Sequence, residues 1–165
     1  MSEFITQIFK FYVGRLRPNF YALCGFDTTT LRCTADEDNI LESHLSFPSG
    51  HTSMSFCGMG VLVWILLGRA ESASRNSAGT SKLLFSYRKL NFVFAFLPWL
   101  YAGFVGTSRI VDNWHHPSDV IAGGLIGIFS STISYHLWYP PIFSKTAGIP
   151  ISICREKKKD LPVSK

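Results

Sequence analysis

Charge is scarce in this chain. Of its 165 residues, 16% are Asp, Glu, Lys or Arg, against roughly a quarter in soluble globular domains. Apolar residues reach 47%, with 14 Phe among them. There is no internal repeat and no long low-complexity tract, which excludes a solenoid or a fibrous chain. No Asn-x-Ser/Thr triplet occurs, so glycosylation gives no guide to topology. The last residues, Pro162-Val163-Ser164-Lys165, match no retention or peroxisomal signal. The N-terminal segment MSEFITQIFKFYVGRLRP has neither the form of a cleavable signal peptide nor enough apolar length for a full span.

The apolar residues come in blocks. Runs 52–68, 90–106 and 120–139 contain no Asp, Glu, Lys or Arg. Each approaches the roughly 17–25 residues needed to cross a bilayer core. The runs therefore predict three membrane spans, against the alternative of three buried helices in a soluble protein. Gly58, Gly60, Gly103, Gly123, Gly124 and Gly127 are expected to let helices approach closely. Trp99, Tyr101, Trp138 and Tyr139 are expected at membrane interfaces.

Sign asymmetry orients the spans. Arg69, Arg75, Lys82, Arg88 and Lys89 follow the first run, with only Glu71 opposing them, and Lys145, Arg155, Lys157, Lys158, Lys159 and Lys165 follow the third. Residues 19–48 instead carry Asp27, Asp36, Glu37, Asp38 and Glu42 against one Arg32. Basic flanks stay cytosolic, so 69–89 and 140–165 are placed in the cytosol, with 19–51 and 107–119 on the lumenal or extracellular side. Gly79, with Ser72, Ser74, Ser77 and Ser81 around it, marks a flexible cytosolic loop. The chain thus divides into a membrane domain, 1–143, and a basic tail, 144–165, either solvated or resting on anionic lipid. Basic residues confined to membrane flanks argue against a nucleic-acid partner. Cys24 and Cys33 both fall in the acidic segment, where an oxidising compartment permits a disulfide and two free thiols are the alternative. Cys57 and Cys154 are expected to be free.

Three polar clusters fall on one predicted membrane face. In the first, Lys10 and Arg17 are seven apart, two helical turns on one face, with Pro18 ending the helix. A basic helix flank looks the same. In the second, Pro48-Ser49-Gly50-His51 suits a helix cap whose free N–H groups bind anions; an ordinary capped helix is its alternative. The third holds Arg109, His115 and Asp119. A helical turn would stack His115 on Asp119, so that the carboxylate orients the imidazole. An Arg fork suits phosphate oxygens. Asp112 either pairs with Arg109 or faces water, and the second is expected. Two spans separate the second cluster from the third, so all three can share one pocket.

Lys10-x6-Arg17-Pro18, Pro48-Ser49-Gly50-His51 and Ser108-Arg109-x5-His115-x3-Asp119 together resemble the three-part signature of the type 2 phosphatidic acid phosphatase family, which shares its fold with bacterial acid phosphatases and vanadium haloperoxidases. The resemblance spans residues 10–119 and is closest to eukaryotic lipid phosphate phosphatases. It implies an all-α transmembrane helical bundle. It further implies that Lys10, Arg17 and Arg109 bind phosphate, aided by the Ser49 hydroxyl and the Gly50 N–H. His115 is then the nucleophile that forms a phosphohistidine, Asp119 its orienter, and His51 the general acid and base. His116 is out of register and reads as structural, with a swap between the neighbours left open. Three fixed cations can do the work of a metal, so no cofactor is implied.

The family has six spans, with the first motif after the third. This chain is therefore expected to be the C-terminal half of that fold, residues 2–9 being the stub of the third span. The implied substrates are phosphatidate, lysophosphatidate and diacylglycerol pyrophosphate. Isoprenoid diphosphates and sphingoid-base phosphates are the alternatives within the same chemistry. An inactive membrane protein that binds lipid or a partner is the alternative outside it.

Overall fold

The described residues of each uncharged run are mainly helical, with a turn at Ala95 and Phe96 in the second, and the helices begin or end several residues away from the hydropathy boundaries. The structure, a computed structural model, describes residues 1–76, 90, 92–144 and 146–159. The helices are α1 (Ser2–Val13), α2 (Phe20–Leu23), α3 (Glu37–Ser43), α4 (Gly50–Asn76), α5 (Leu97–Val111), α6 (Pro117–Trp138) and α7 (Ile151–Lys159). A two-stranded antiparallel hairpin, β1 (Phe26–Asp27) and β2 (Arg32–Cys33), pairs Phe26 with Cys33 and Asp27 with Arg32. Among the described residues, three helical segments are long and apolar enough to cross a membrane: Gly50–Ser72, Phe92–Val111 and Pro117–Trp138.

Capping chemistry explains the displaced ends. Ser49 precedes α4 and its Oγ accepts from the Thr52 hydroxyl (2.9 Å) and, more loosely, from the Thr52 N–H (3.4 Å); a Ser at this position offsets donors the first turn leaves open. Pro117 opens α6, where its missing N–H costs nothing. Asp119, three residues after His116, returns its carboxylate to the His116 N–H at 2.9 Å, which is half of a capping box. At the other end of α4 the helix continues to Asn76. Ser72 and Ser74 are thus helical and not part of a loop. Ser77, Gly79, Ser81, Lys82, Arg88, Lys89, Lys145 and Lys165 lie outside the described residues.

The chain forms two compact units. The first comprises residues 1–58 and 101–130. In it, α1 meets α4 through hydroxyls: Thr6 Oγ1 lies 2.8 Å from Ser53 Oγ, and Ser2, Thr6 and Ser53 are all buried. The outer face of α1 is apolar and open at Phe4, Ile8, Phe11 and Tyr12. Glycines set the approach of α4 to α6. A Cβ built on Gly123 meets the Ser49 carbonyl oxygen at 2.5 Å, and one on Gly127 meets the Ser53 carbonyl oxygen at 2.5 Å. Gly106, absent from the expected set, has Val120 at 2.9 Å by the same measure. Gly58 and Gly103 depart from expectation, because no described atom lies within 4 Å of a Cβ placed there. The acidic segment carries α2, the hairpin and α3, and Cys24 and Cys33 are joined by a disulfide.

The second unit comprises 59–100 and 131–165. Val63, Leu67 and Ala95 form its buried cluster, with Trp64, Phe96, Trp99 and Ile142 against it. Trp99 packs edge-on against Trp64, centroids 6.1 Å apart. It lies within the second candidate span, Phe92–Val111. Trp138 stands exposed at the end of its helix.

Candidate active site

All residues of the three sequence clusters fall in the first unit. The route by which Arg17 reaches them differs from the one its spacing suggests. Helix α1 stops at Val13, where Gly14 adopts a left-handed conformation (φ 57°) and returns its N–H to the Lys10 carbonyl. That conformation suits Gly because it has no Cβ to clash. Arg17 therefore does not share a helical face with Lys10. It arrives on the following turn, held by its backbone N–H to the Ser43 carbonyl at 2.9 Å.

Arg17 is nearly fully buried and densely held. Its Nε donates to the Glu42 carbonyl at 2.8 Å and its Nη1 to the Trp114 carbonyl at 3.2 Å. Its Nη2 pairs with the Glu42 carboxylate. The guanidinium also lies over the Trp114 ring, 4.8 Å from the centroid, a favourable cation–π arrangement. Burial lowers its affinity for a proton, and Glu42 opposes that effect. Lys10 reaches the start of α4: its Nζ is 3.8 Å from a Cβ built on Gly50. Arg109, in the last turn of α5, pairs with Asp112 at 2.8 Å. The expectation that Asp112 only faces water is corrected. The two are three apart at a helix end, within easy reach of each other.

His115 lies in the turn before α6 and is 2% exposed. Its Nδ1 is 2.7 Å from the Ser46 carbonyl oxygen. A carbonyl only accepts, so Nδ1 carries the proton and Nε2 keeps a free lone pair. Desolvation, then the Arg17 charge, pushes the imidazole down from 6.5 to about 4, with Lys10 adding to the effect and the Ser46 carbonyl and Asp119 opposing it. The ring is neutral at pH 7. Asp119 does not stack on His115 along a helical turn, because the helix starts only at Pro117. Its Oδ2 is 3.9 Å from His115 Nδ1. It accepts instead from Ser46 Oγ (2.6 Å), the His116 N–H (2.9 Å) and Arg15 Nη1 (2.7 Å).

The remaining candidates close the constellation. The Ser49 N–H donates to the Asp119 carbonyl at 3.0 Å, tying the second cluster to the third. The Ser49 hydroxyl is fully buried and serves as the acceptor of Thr52. Gly50 and His51 occupy the first turn of α4, whose N–H groups have no acceptor within the helix. His51 is exposed, and the charges of Arg109, Lys10, Arg17 and Glu3 act on it. His116 places Nε2 3.2 Å from the Leu16 carbonyl oxygen. Three participants were not singled out in the sequence: Arg15, Glu42 and Ser46. Arg15 lies two residues from Arg17 in the basic triplet, which is the one signal available. The partners of Glu42 and Ser46 are distant in the chain.

Lys10 and Arg17 act electrostatically on both His115 and His51, and Arg109 acts on His51. Comparison with known proteins agrees with the motif reading. The chain is 39% identical over 145 residues to "Lipid phosphate phosphatase 2" of Arabidopsis thaliana, covering 83% of this chain and 47% of that protein. It is 32% identical over 151 residues to "Diacylglycerol pyrophosphate phosphatase 1" of Saccharomyces cerevisiae, covering 86% and 49%. It is 33% identical over 147 residues to "Phospholipid phosphatase 2" of Bos taurus, covering 82% and 47%. The chain spans about half the length of the curated relatives it matches. No solved structure matches it. The PAP2 superfamily model matches residues 1–142, which include every residue of the three clusters; the chain belongs to the PAP2 superfamily.

Proposed function

We propose that this chain carries the catalytic centre of an integral-membrane lipid phosphate phosphatase. Its substrates are phosphomonoesters or pyrophosphates of glycerolipids, namely phosphatidate, lysophosphatidate and diacylglycerol pyrophosphate. One observation carries the reading: a neutral, buried His115 with its proton on Nδ1 stands among Lys10 and Arg17. A nucleophile needs a lone pair, and a phosphate needs cations beside it. The printed names of the relatives support the substrate class.

His115 Nε2 attacks phosphorus, the N–P bond forms, and the P–O bond to the leaving group breaks. Lys10, Arg17 and Arg109 hold the equatorial oxygens as their charge spreads. His51 gives its proton to the leaving oxygen, then takes one from water. That water attacks the phosphohistidine, releases inorganic phosphate and restores both rings. Three positive charges neutralise the transition state, so the reaction proceeds without a metal. The site faces the lumen or the cell exterior, with 69–89 and the tail cytosolic. The basic flanks of the spans and the Cys24–Cys33 disulfide support this orientation.

The test is phosphate release from phosphatidate by the chain in membranes, with chelator present, alone and joined to the upstream half of a relative. Release that His115→Ala abolishes is expected. No release in either form, or release unaffected by His115→Ala, overturns the proposal. Protease access to residues 19–48 from the cytosolic side overturns the orientation.

A further inference from the structure

We infer that Arg15 is a positioning residue for this reaction: its guanidinium fixes and neutralises the carboxylate of Asp119, and through Ser46 that carboxylate holds His115 in its attacking tautomer. The inference rests on the reading of His115 as nucleophile.

The geometry is a chain of contacts. Arg15 Nη1 lies 2.7 Å from Asp119 Oδ1 and 2.7 Å from Ser118 Oγ, so one cation grips two consecutive residues in the first turn of α6. Asp119 is fully buried, while the Arg15 side chain is 37% exposed. The other carboxylate oxygen accepts from Ser46 Oγ at 2.6 Å. The backbone carbonyl of the same Ser46 accepts from His115 Nδ1 at 2.7 Å. Ser46 is fixed from its other side as well, its N–H donating to the Arg15 carbonyl at 3.0 Å. Arg15 thus touches both links that stand between it and the imidazole, yet makes no contact with His115 itself.

The charge argument runs the same way. Lys10 from α1, Arg17 from the turn after it and Asp119 from α6 are the charges that act on His115. Glu42 of α3 faces Arg17 and Lys10, and Arg109 of α5 faces His51. Asp119 alone among the groups acting on His115 favours imidazolium by its charge. Arg15 is the cation in direct contact with Asp119. Remove it, and a buried carboxylate with two neutral donors stands 3.9 Å from Nδ1. The imidazole is drawn off the Ser46 carbonyl and binds a proton more readily.

The experiment compares wild type, Arg15→Gln and Arg15→Lys by phosphate release from phosphatidate across pH 3–8. For Arg15→Gln the expected result is kcat about 10–100-fold lower, as for other residues that orient a reacting group from behind it. KM changes little, and the acid limb of kcat/KM moves up by about one pH unit. Arg15→Lys keeps the limb at the wild-type position. An unmoved limb in Arg15→Gln, a limb moved equally by Lys and Gln, or a raised KM with kcat intact overturns the inference. Titration of the His115 ring by 15N NMR in the same membranes reads the effect without turnover. An imidazole whose midpoint is the same in wild type and Arg15→Gln overturns it independently. A wild-type chain that releases no phosphate, even with its upstream half, counts against the phosphatase reading; the NMR titration then decides the role of Arg15.

Discussion

Gly123→Ala tests whether the approach of α4 to α6 positions the site. The added Cβ would lie 2.5 Å from the Ser49 carbonyl oxygen, and 3.3 Å from both the Ser49 carbonyl carbon and Thr52 Cβ. Ordinary contact begins at 3.4 Å, so one helix must retreat by roughly 0.9 Å, an overpacking that costs about 1–3 kcal/mol. The obstructing oxygen cannot rotate away, because it belongs to the backbone and accepts the Ser53 N–H at 3.0 Å. The same shift stretches the bond from the Ser49 N–H to the Asp119 carbonyl, now 3.0 Å, beyond useful length, a further loss of about 1 kcal/mol. Total destabilisation is then about 2–4 kcal/mol. A 1 Å error in a reacting geometry costs about 100-fold in rate, so kcat should fall by about that factor. Gly103→Ala is the control: no described atom lies within 4 Å of its Cβ. There the substitution should stabilise α5 by about 0.5–1 kcal/mol through helix propensity alone. The assay is thermal unfolding in detergent together with phosphate release. A Gly123→Ala protein with wild-type melting and turnover would refute the reasoning, as would equal damage from Gly103→Ala.

Three further outcomes follow from the site and its surroundings. His115 in the folded chain titrates near 4 against 6.5 for an exposed imidazole, so the folded state binds fewer protons between these values. Stability is retained above pH 6.5 and falls by roughly 3 kcal/mol as pH drops through 4; a melting midpoint in His115→Gln that falls as steeply over this window as wild type counts against it. Glu42 occupies Arg17 where a phosphate would compete, so Glu42→Gln should tighten inhibition by inorganic phosphate several-fold; an unchanged inhibition constant removes Glu42 from the site. The Cys24–Cys33 bridge closes nine positions of chain, and Cys33→Ser should lower stability by about 2–3 kcal/mol, measured as a shift in melting; an identical midpoint would mean the bridge adds nothing.

Sequence alone located the spans because a membrane core tolerates no unpaired charge, and uncharged runs are visible without any structure. It did not locate their ends. Those depend on Ser49, Pro117 and Asp119 acting as caps, and hydropathy is blind to caps. The motif residues were legible because their types and order carry chemistry. Their geometry was less so. Lys10 and Arg17 suggested one helical face, but Gly14 turns the chain between them. His115 and Asp119 suggested a helical stack, but Pro117 starts the helix too late. Arg15 was not legible, because its partner lies 104 residues away and nothing local distinguishes a held guanidinium from a solvated one. Asp112 is ambiguous in sequence for the opposite reason. Its partner was close, and an exposed i,i+3 pair is worth so little that either arrangement was reasonable.

Asp119 closes the first turn of α6 with the same oxygen that steadies Ser46 behind His115. On the proposed mechanism, helix initiation and chemical competence are one event. When that turn frays, the His116 amide exchanges its hydrogen and the imidazole loses its support at the same moment. Heat should therefore silence the proposed phosphatase activity by opening a single turn, at a temperature where the three long helices are still intact.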